Sequence, residues 1–231
     1  MNGLLLVDKP AGWTSHDVVA KARGITKIRR IGHAGTLDPF ATGLLLLGIG
    51  TGTKQLHGLT GTDKVYVADI VFGVTSTTFD PEGTLTPHEP EPVPLTQTAI
   101  EAGLELFRGG YEQYAPLFSA KKHQGTPLYR LARRGELDET LRPKKWVTIQ
   151  SLTIEHYAWP VLTLRIHCGS GTYIRSLGDD LGRALGVGAY VNRLRRTQIG
   201  EYSLNQALLW DPLPTITDIE THLLTTSPKA E

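Results

Sequence analysis

The stretch Arg29-Arg30-Ile31-Gly32-His33-Ala34-Gly35-Thr36-Leu37-Asp38-Pro39-Phe40-Ala41-Thr42-Gly43 constrains this chain more than any other. Three glycines and a proline fall within twelve residues, so neither a regular helix nor a central strand is expected to run through it. Two arginines lead in, and the apolar run Leu44-Leu45-Leu46-Leu47 leads out. The pattern reads as a tight, positively flanked loop emptying into a buried strand. Such a loop can hold one carboxylate, Asp38, in a fixed place beside His33. Polar groups presented by rigid loops on a packed scaffold are where chemistry concentrates. Asp-Pro also opens many turns, and these residues alone favour a surface turn slightly.

With 231 residues the chain has room for one large domain, or for one domain and a small appendage. Its single cysteine, Cys168, excludes an internal disulfide and a cysteine-based zinc site. No apolar run reaches membrane-spanning length and no signal peptide is evident, so a cytoplasmic setting without membrane contact is expected. The net charge of +1 is unevenly spread. Residues 121–145 hold eight Lys/Arg against three Asp/Glu, whereas the stretch from Asp211 onward is acidic. A basic segment on a near-neutral protein suits contact with a phosphate backbone; it equally suits a solvated, lysine-rich surface helix.

Gly3-Leu4-Leu5-Leu6-Val7 reads as a strand, and Thr14 or Ser15 as the cap of a helix running to about Arg23 and stopped by Gly24. The run Gly48-Ile49-Gly50-Thr51-Gly52-Thr53-Lys54-Gln55 superficially resembles a phosphate loop. It lacks the Gly before the Lys and the Ser/Thr after it, so no NTPase is implied. The run from Lys64 to Phe72 has strand composition. Thr98 with Glu101 reads as a capping box for a helix to about Arg108. In residues 111–145, Tyr111, Tyr114, Phe118 and Tyr129 alternate with Lys121, Lys122, His123, Arg130, Arg133 and Arg134, and a short helix is bracketed by Thr126, Pro127 and Gly135. Rings stack on bases while cations meet phosphates, which is what a nucleic-acid surface needs; the same pattern also fits a helix with aromatics inward and bases outward. Two strands follow, Trp146 to Trp159 and Val161 to Cys168, then a helix from about Arg175 to Leu185 and a second cationic spot, Arg193-Leu194-Arg195-Arg196. The residues after Asp211 read as a frayed appendage.

Six elements converge in order. They are Asp8-Lys9-Pro10-x-Gly12-x-Thr14-Ser15; Gly32-His33-x-Gly35-x-Leu37-Asp38-Pro39-x-Ala41-Thr42-Gly43; Lys64-x-Tyr66; Pro116-x-x-Ser119-Ala120-x-Lys122 with Tyr129-x-x-Ala132-Arg133; Gly171-Thr172-Tyr173-Ile174-Arg175 with Asp179-x-Leu181-Gly182; and Leu194-Arg195-Arg196. Together they resemble the TruB family of tRNA pseudouridine synthases, from about residue 3 to about residue 204. The resemblance implies an α+β fold with a central mixed, mostly antiparallel sheet flanked by helices and loops. It implies one catalytic domain over residues 1–210, a thumb-like RNA-binding insertion over about 111–145, and a short tail over 211–231. Many family members carry a further RNA-binding domain of the PUA type, and a full one is not expected here.

The resemblance also implies the reaction, isomerisation of uridine 55 in the tRNA T-loop to pseudouridine. No metal or cofactor is implied. The expected partner is tRNA through its T-arm, with no protein partner and a monomeric state. Asp38 matches the catalytic aspartate, and it must be ionised either to attack C1′ or to remove a sugar proton. Arg175 matches the arginine that opposes its protonation; the rival reading pairs Arg175 with Asp179 or Asp180. Tyr66 matches the tyrosine that stacks on the displaced uracil. His33 matches the residue filling the gap left by the extruded base, and Tyr173 and Leu194 match positions lining the uracil pocket. Lys121, Lys122, Arg130, Arg133, Arg134, Arg195 and Arg196 are expected on phosphates. Two rival functions share these features: an RNA-folding helper that opens the T-loop, and an aspartate glycosidase that releases the base. The glycosidase usually needs a second carboxylate, and the central loop has none.

Overall fold

A computed structural model describes residues 1–116, 118, 122–123, 126–127 and 142–224. The fold is α+β, with a mixed sheet of ten strands among the described residues and helices flanking it. The chain divides into two compact units: Met1–Tyr66 with Leu194–Glu231, and Val67–Arg193. The backbone passes between them within two strands, β4 (Lys64–Phe72) and β13 (Ala189–Ile199). No helix among the described residues is long and apolar enough to cross a membrane.

The first unit is built on β1 (Gly3–Lys9). It pairs antiparallel with β3 (Thr42–Ile49), from Gly3 opposite Ile49 to Lys9 opposite Gly43. The other side of β3 takes β2 (Ile31–Ala34), antiparallel, and the end of β13, parallel, with Arg195 opposite Thr42. Both faces of β1 and β3 are covered, which is why their sequences are apolar runs rather than alternations. Leu5, Val7, Leu45, Leu47 and Ile49 face one cluster with Val18, Val19 and Ala22 of α1 (Ser15–Thr26). Leu6, Leu44 and Leu46 face the other.

In the second unit β11 (Ile149–Ala158) and β12 (Val161–Cys168) form a long antiparallel pair. A separate ribbon pairs β7 (Tyr111–Tyr114) with β10 (Lys144–Val147). Helix α3 (Gln97–Glu105) packs on α4 (Ile174–Ala184). Gly182 lets α4 approach closely, because a Cβ there would lie 2.4 Å from the amide nitrogen of Ala189.

Several local expectations change. Ile31–Ala34 is a strand, not a loop, because Gly32 and His33 pair with Gly48 and Leu47 in spite of the glycines around them. Helix α1 continues through Gly24, which is exposed, and ends where Lys27 turns left-handed (φ 59°). Continuing the helix buries Thr26, whose hydroxyl donates to the Ala22 carbonyl. The cap of α3 is Thr96, which accepts from the Ala99 amide, while Glu101 binds Arg108 at 2.9 Å. The helix expected from Thr126 lies mainly outside the described residues, but Thr126–Pro127 itself is a short strand pairing with Lys122–His123.

The region after Asp211 is not frayed over its described part. Helix α5 (Ile216–His222) has its own capping box of Thr215 and Asp218, and Leu223–Leu224 pairs with β1. Trp210 and Ile219 are buried in the cluster over β1 and β3. A Trp210→Ala variant is expected to lose about 3–5 kcal/mol of stability in chemical denaturation, the usual cost of emptying a large aromatic site.

Candidate active site

The loop carrying Asp38 is held by side chains that donate to or accept from its backbone. Ser15, at the start of α1, is buried, and its Oγ accepts the Leu37 amide at 2.9 Å and donates to the Leu37 carbonyl at 3.3 Å. On the other side of Asp38, the Pro39 carbonyl accepts from the Gly12 amide at 2.8 Å and from Lys9 Nζ at 3.2 Å. Lys9 is wholly buried at the end of β1, and its ammonium also donates to the carbonyls of Pro10 (2.8 Å) and Trp13 (2.7 Å). An ammonium has three donors, and burial is tolerable when each finds an acceptor. The Asp38 carbonyl accepts from the Ala41 amide at 3.2 Å, closing the turn. Asp38 itself is half-buried.

Arg196 supplies the next brace. It is 1% exposed, and it donates from Nε to the Leu44 carbonyl (2.7 Å) and from Nη2 to the Gly35 carbonyl (2.9 Å). This withdraws Arg196 from the phosphate contacts expected of it, since its guanidinium is spent inside the protein. The parallel pairing that brings it there requires glycine at 43. Gly43 has φ +100°, and a Cβ would sit 2.3 Å from the Arg196 carbonyl oxygen. Arg195 is partly exposed, and it binds Asp8 at 2.6 Å and the Thr42 hydroxyl at 3.3 Å. Leu194 is 6% exposed, and its carbonyl lies 3.5 Å from the same hydroxyl. Tyr66 shares the buried face of β4 with Lys64 and Ala68.

His33 lies on β2 opposite Leu47, half-buried, with its ring edge-to-face on His16 at 5.1 Å. Its Nδ1 is buried and has no hydrogen-bond partner among the described residues. Burial first, then the charges of His16 and Arg196, push its pKa from 6.5 down to about 4. The ring is therefore neutral at physiological pH.

In the second unit, Tyr173 and Arg175 open α4. The expected rival partners of Arg175 are engaged elsewhere: Asp179 pairs with Arg183 at 2.8 Å, and Asp180 accepts from the Tyr111 hydroxyl at 3.0 Å. Arg175 Nη1 instead donates to Asp80 Oδ2 at 3.0 Å and to the Thr78 carbonyl at 2.9 Å, and Nη2 donates to the Phe118 carbonyl at 3.0 Å. The Arg175–Asp80 pair is buried on both sides. The other oxygen of Asp80 accepts from the Thr78 hydroxyl and the Glu82 amide. Asp80 did not stand out in the sequence. Its one signal is the hydroxyl-rich turn around it, from Ser76 to Gly83.

Of the expected phosphate contacts, Lys121, Arg130, Arg133 and Arg134 lie outside the described residues, and Lys122 is described only as strand backbone. Among the described residues no three His, Cys, Asp or Glu side chains cluster so as to hold a metal ion.

The family model of the TruB pseudouridylate synthase N-terminal domain matches residues 23–174, and that of the tRNA pseudouridylate synthase B C-terminal domain matches 175–223. The chain belongs to the TruB family. A tRNA pseudouridine synthase B of Xanthomonas campestris pv. campestris (strain B100) is 44% identical over 219 residues, covering 94% of this chain and 70% of that relative. One of Thermobifida fusca (strain YX) is 44% identical over 220 residues, covering 92% and 74%. A chain in the crystal structure of a Cbf5-Nop10-Gar1 complex superposes with a TM-score of 0.71 at 27% identity. That match covers 91% of this TruB-family chain, which spans about half, 53%, of the solved one. The matched C-terminal model ends at 223, so it takes in the packed segment around α5.

Two outcomes are expected here. Ser15→Ala removes both restraints on Leu37 and should cost about 1–3 kcal/mol in chemical denaturation, with α1 intact because Thr14 caps it. His33 should titrate near pH 4 by NMR. The unfolded chain takes up that proton first, near pH 6.5, so this group's contribution to stability is lost as pH falls from 6.5 to about 4.

Proposed function

We propose that this chain isomerises uridine to pseudouridine at position 55 in the T-loop of tRNA, with Asp38 as the essential catalyst. The observation that carries the reading is the bracing of Asp38: both neighbours in the chain are pinned through their backbones by buried side chains, while Asp38 itself is only half-buried. Pinned geometry at a reacting group is worth much of a reaction barrier. The names of the 44%-identical relatives support tRNA as the substrate.

The reaction breaks the C1′–N1 bond, turns the uracil and joins C5 to C1′. The C5 proton is then lost and N1 gains one, so the product is an isomer and no redox partner is consumed. Asp38 acts in its ionised form, as nucleophile at C1′ or as base toward the sugar. Arg175, held by Asp80, serves as the cation that favours this form. A uracil inside the folded T-loop reaches Asp38 only after extrusion, at a cost of roughly a few kcal/mol. Neutral His33 fills the vacated place, since an uncharged ring packs against stacked bases without desolvating a cation. Tyr66, Tyr173 and Leu194 hold the turning base. The basic side chains of 121–134, with Arg195, meet phosphates.

The test uses a T-arm hairpin and carbodiimide-stop sequencing for pseudouridine. Asp38→Asn should bind the hairpin as the wild type does and form no product. Turnover by that variant at the wild-type rate would defeat the assignment, and free uracil among the products would make the enzyme a glycosidase.

A further inference from the structure

Helix α4 opens on Tyr173 without a side-chain cap of its own. The backbone of Tyr173 is instead held from another element. Gln113 of β7 is 2% exposed, and its carboxamide grips the Tyr173 backbone at two points. Oε1 accepts the Tyr173 amide at 2.8 Å, and Nε2 donates to the Tyr173 carbonyl at 3.0 Å. The second hydrogen of Nε2 goes to the Tyr111 oxygen at 2.6 Å, and the Tyr111 hydroxyl donates onward to Asp180 Oδ2 at 3.0 Å. The amide orientation is therefore fixed by a chain of bonds that begins and ends on α4. Ser176 adds a further tie, donating to the Tyr114 carbonyl at 3.0 Å. A buried amide group with both donors used holds the backbone it grips rigidly.

We infer that Gln113 is a positioning residue for the proposed reaction. It fixes the backbone of Tyr173, and through the first turn of α4 the direction in which Arg175 leaves the helix. This rests on the reading of Tyr173 and Arg175 as substrate-site residues. Gln113 is buried and, among the described residues, grips backbone only at Tyr173, so its removal should act on turnover rather than on RNA binding.

The experiment measures kcat and KM on a T-arm hairpin for wild type, Gln113→Ala and Gln113→Glu, with melting curves for each. Gln113→Ala should lose about 10- to 100-fold in kcat, the scale of a small misplacement of reacting groups, with KM near wild type. In Gln113→Glu the ionised carboxylate can accept the Tyr173 amide but cannot donate to its carbonyl; the protonated acid can do both. The groups around the introduced carboxyl are Tyr111 on the same strand, Asp180 on α4, and Lys145, its cross-strand neighbour on β10. Burial favours the protonated acid. The ratio of Gln113→Glu to wild-type kcat should therefore rise as pH falls from about 8 to about 6, a rescue that a loss of packing would not produce. Wild-type kcat in a folded Gln113→Ala, or a change confined to KM, overturns the inference. If Gln113→Ala does not fold, Gln113→Glu decides: a ratio independent of pH overturns it, and rescue at low pH supports it. Absence of product from the wild type would instead overturn the reading of the site, and this inference with it.

Discussion

The first unit depends on buried donors finding backbone acceptors around one loop. Lys9, Ser15 and Arg196 are each almost fully removed from water, and each spends its polar atoms on main-chain groups between Pro10 and Leu44. Buried charge is costly, and these cations are tolerable only because carbonyls replace their water. The same bonds leave the backbone on either side of Asp38 with one arrangement. Stability and pre-organisation are here one set of contacts, so a change that loosens the loop also weakens the fold.

The second unit applies the same device to a helix start. Arg175 is aimed by Asp80, whose free oxygen is held by the Thr78 hydroxyl and the Glu82 amide. Phe79, beside Asp80, adopts φ 65°, a conformation most side chains avoid, and its amide and carbonyl are both bonded to hold it there. Tyr173 is gripped by Gln113 from a neighbouring strand. Residues proposed to meet the substrate thus sit on backbone secured by other side chains, of which Gln113 carries no signature in an isolated sequence and Asp80 only the hydroxyl-rich turn around it.

His33 shows how environment selects a role for an ambiguous side chain. A histidine beside two arginines in the sequence suggests a cationic loop, but the strand places it under α1 against His16 and within reach of the Arg196 charge. Desolvation first, then the electrostatic effects of His16 and Arg196, favour the neutral ring. What is left is a flat, uncharged edge, suited to packing rather than to proton transfer.

The sequence by itself determined the order of the motifs, the family they resemble, and most elements, because periodicity and capping act between residues close in the chain. Gly3 to Val7, Leu44 to Leu47 and the helix after Thr14 were legible on those grounds. It also marked Asp38, since a glycine-rich turn with a single acid is a local pattern. Only the tertiary structure decided which cations reach the surface and which are struts. Arg195 and Arg196 are adjacent and chemically alike, yet strand alternation sends one toward Asp8 and buries the other against Leu44, 152 positions away. Pairings of that kind depend on strand register and on which backbone oxygens a fold leaves uncovered, and no spacing rule within one segment carries that information. The partners Asp80 for Arg175 and Gln113 for Tyr173, and the burial of Trp210 in a stretch that looked frayed, were settled the same way.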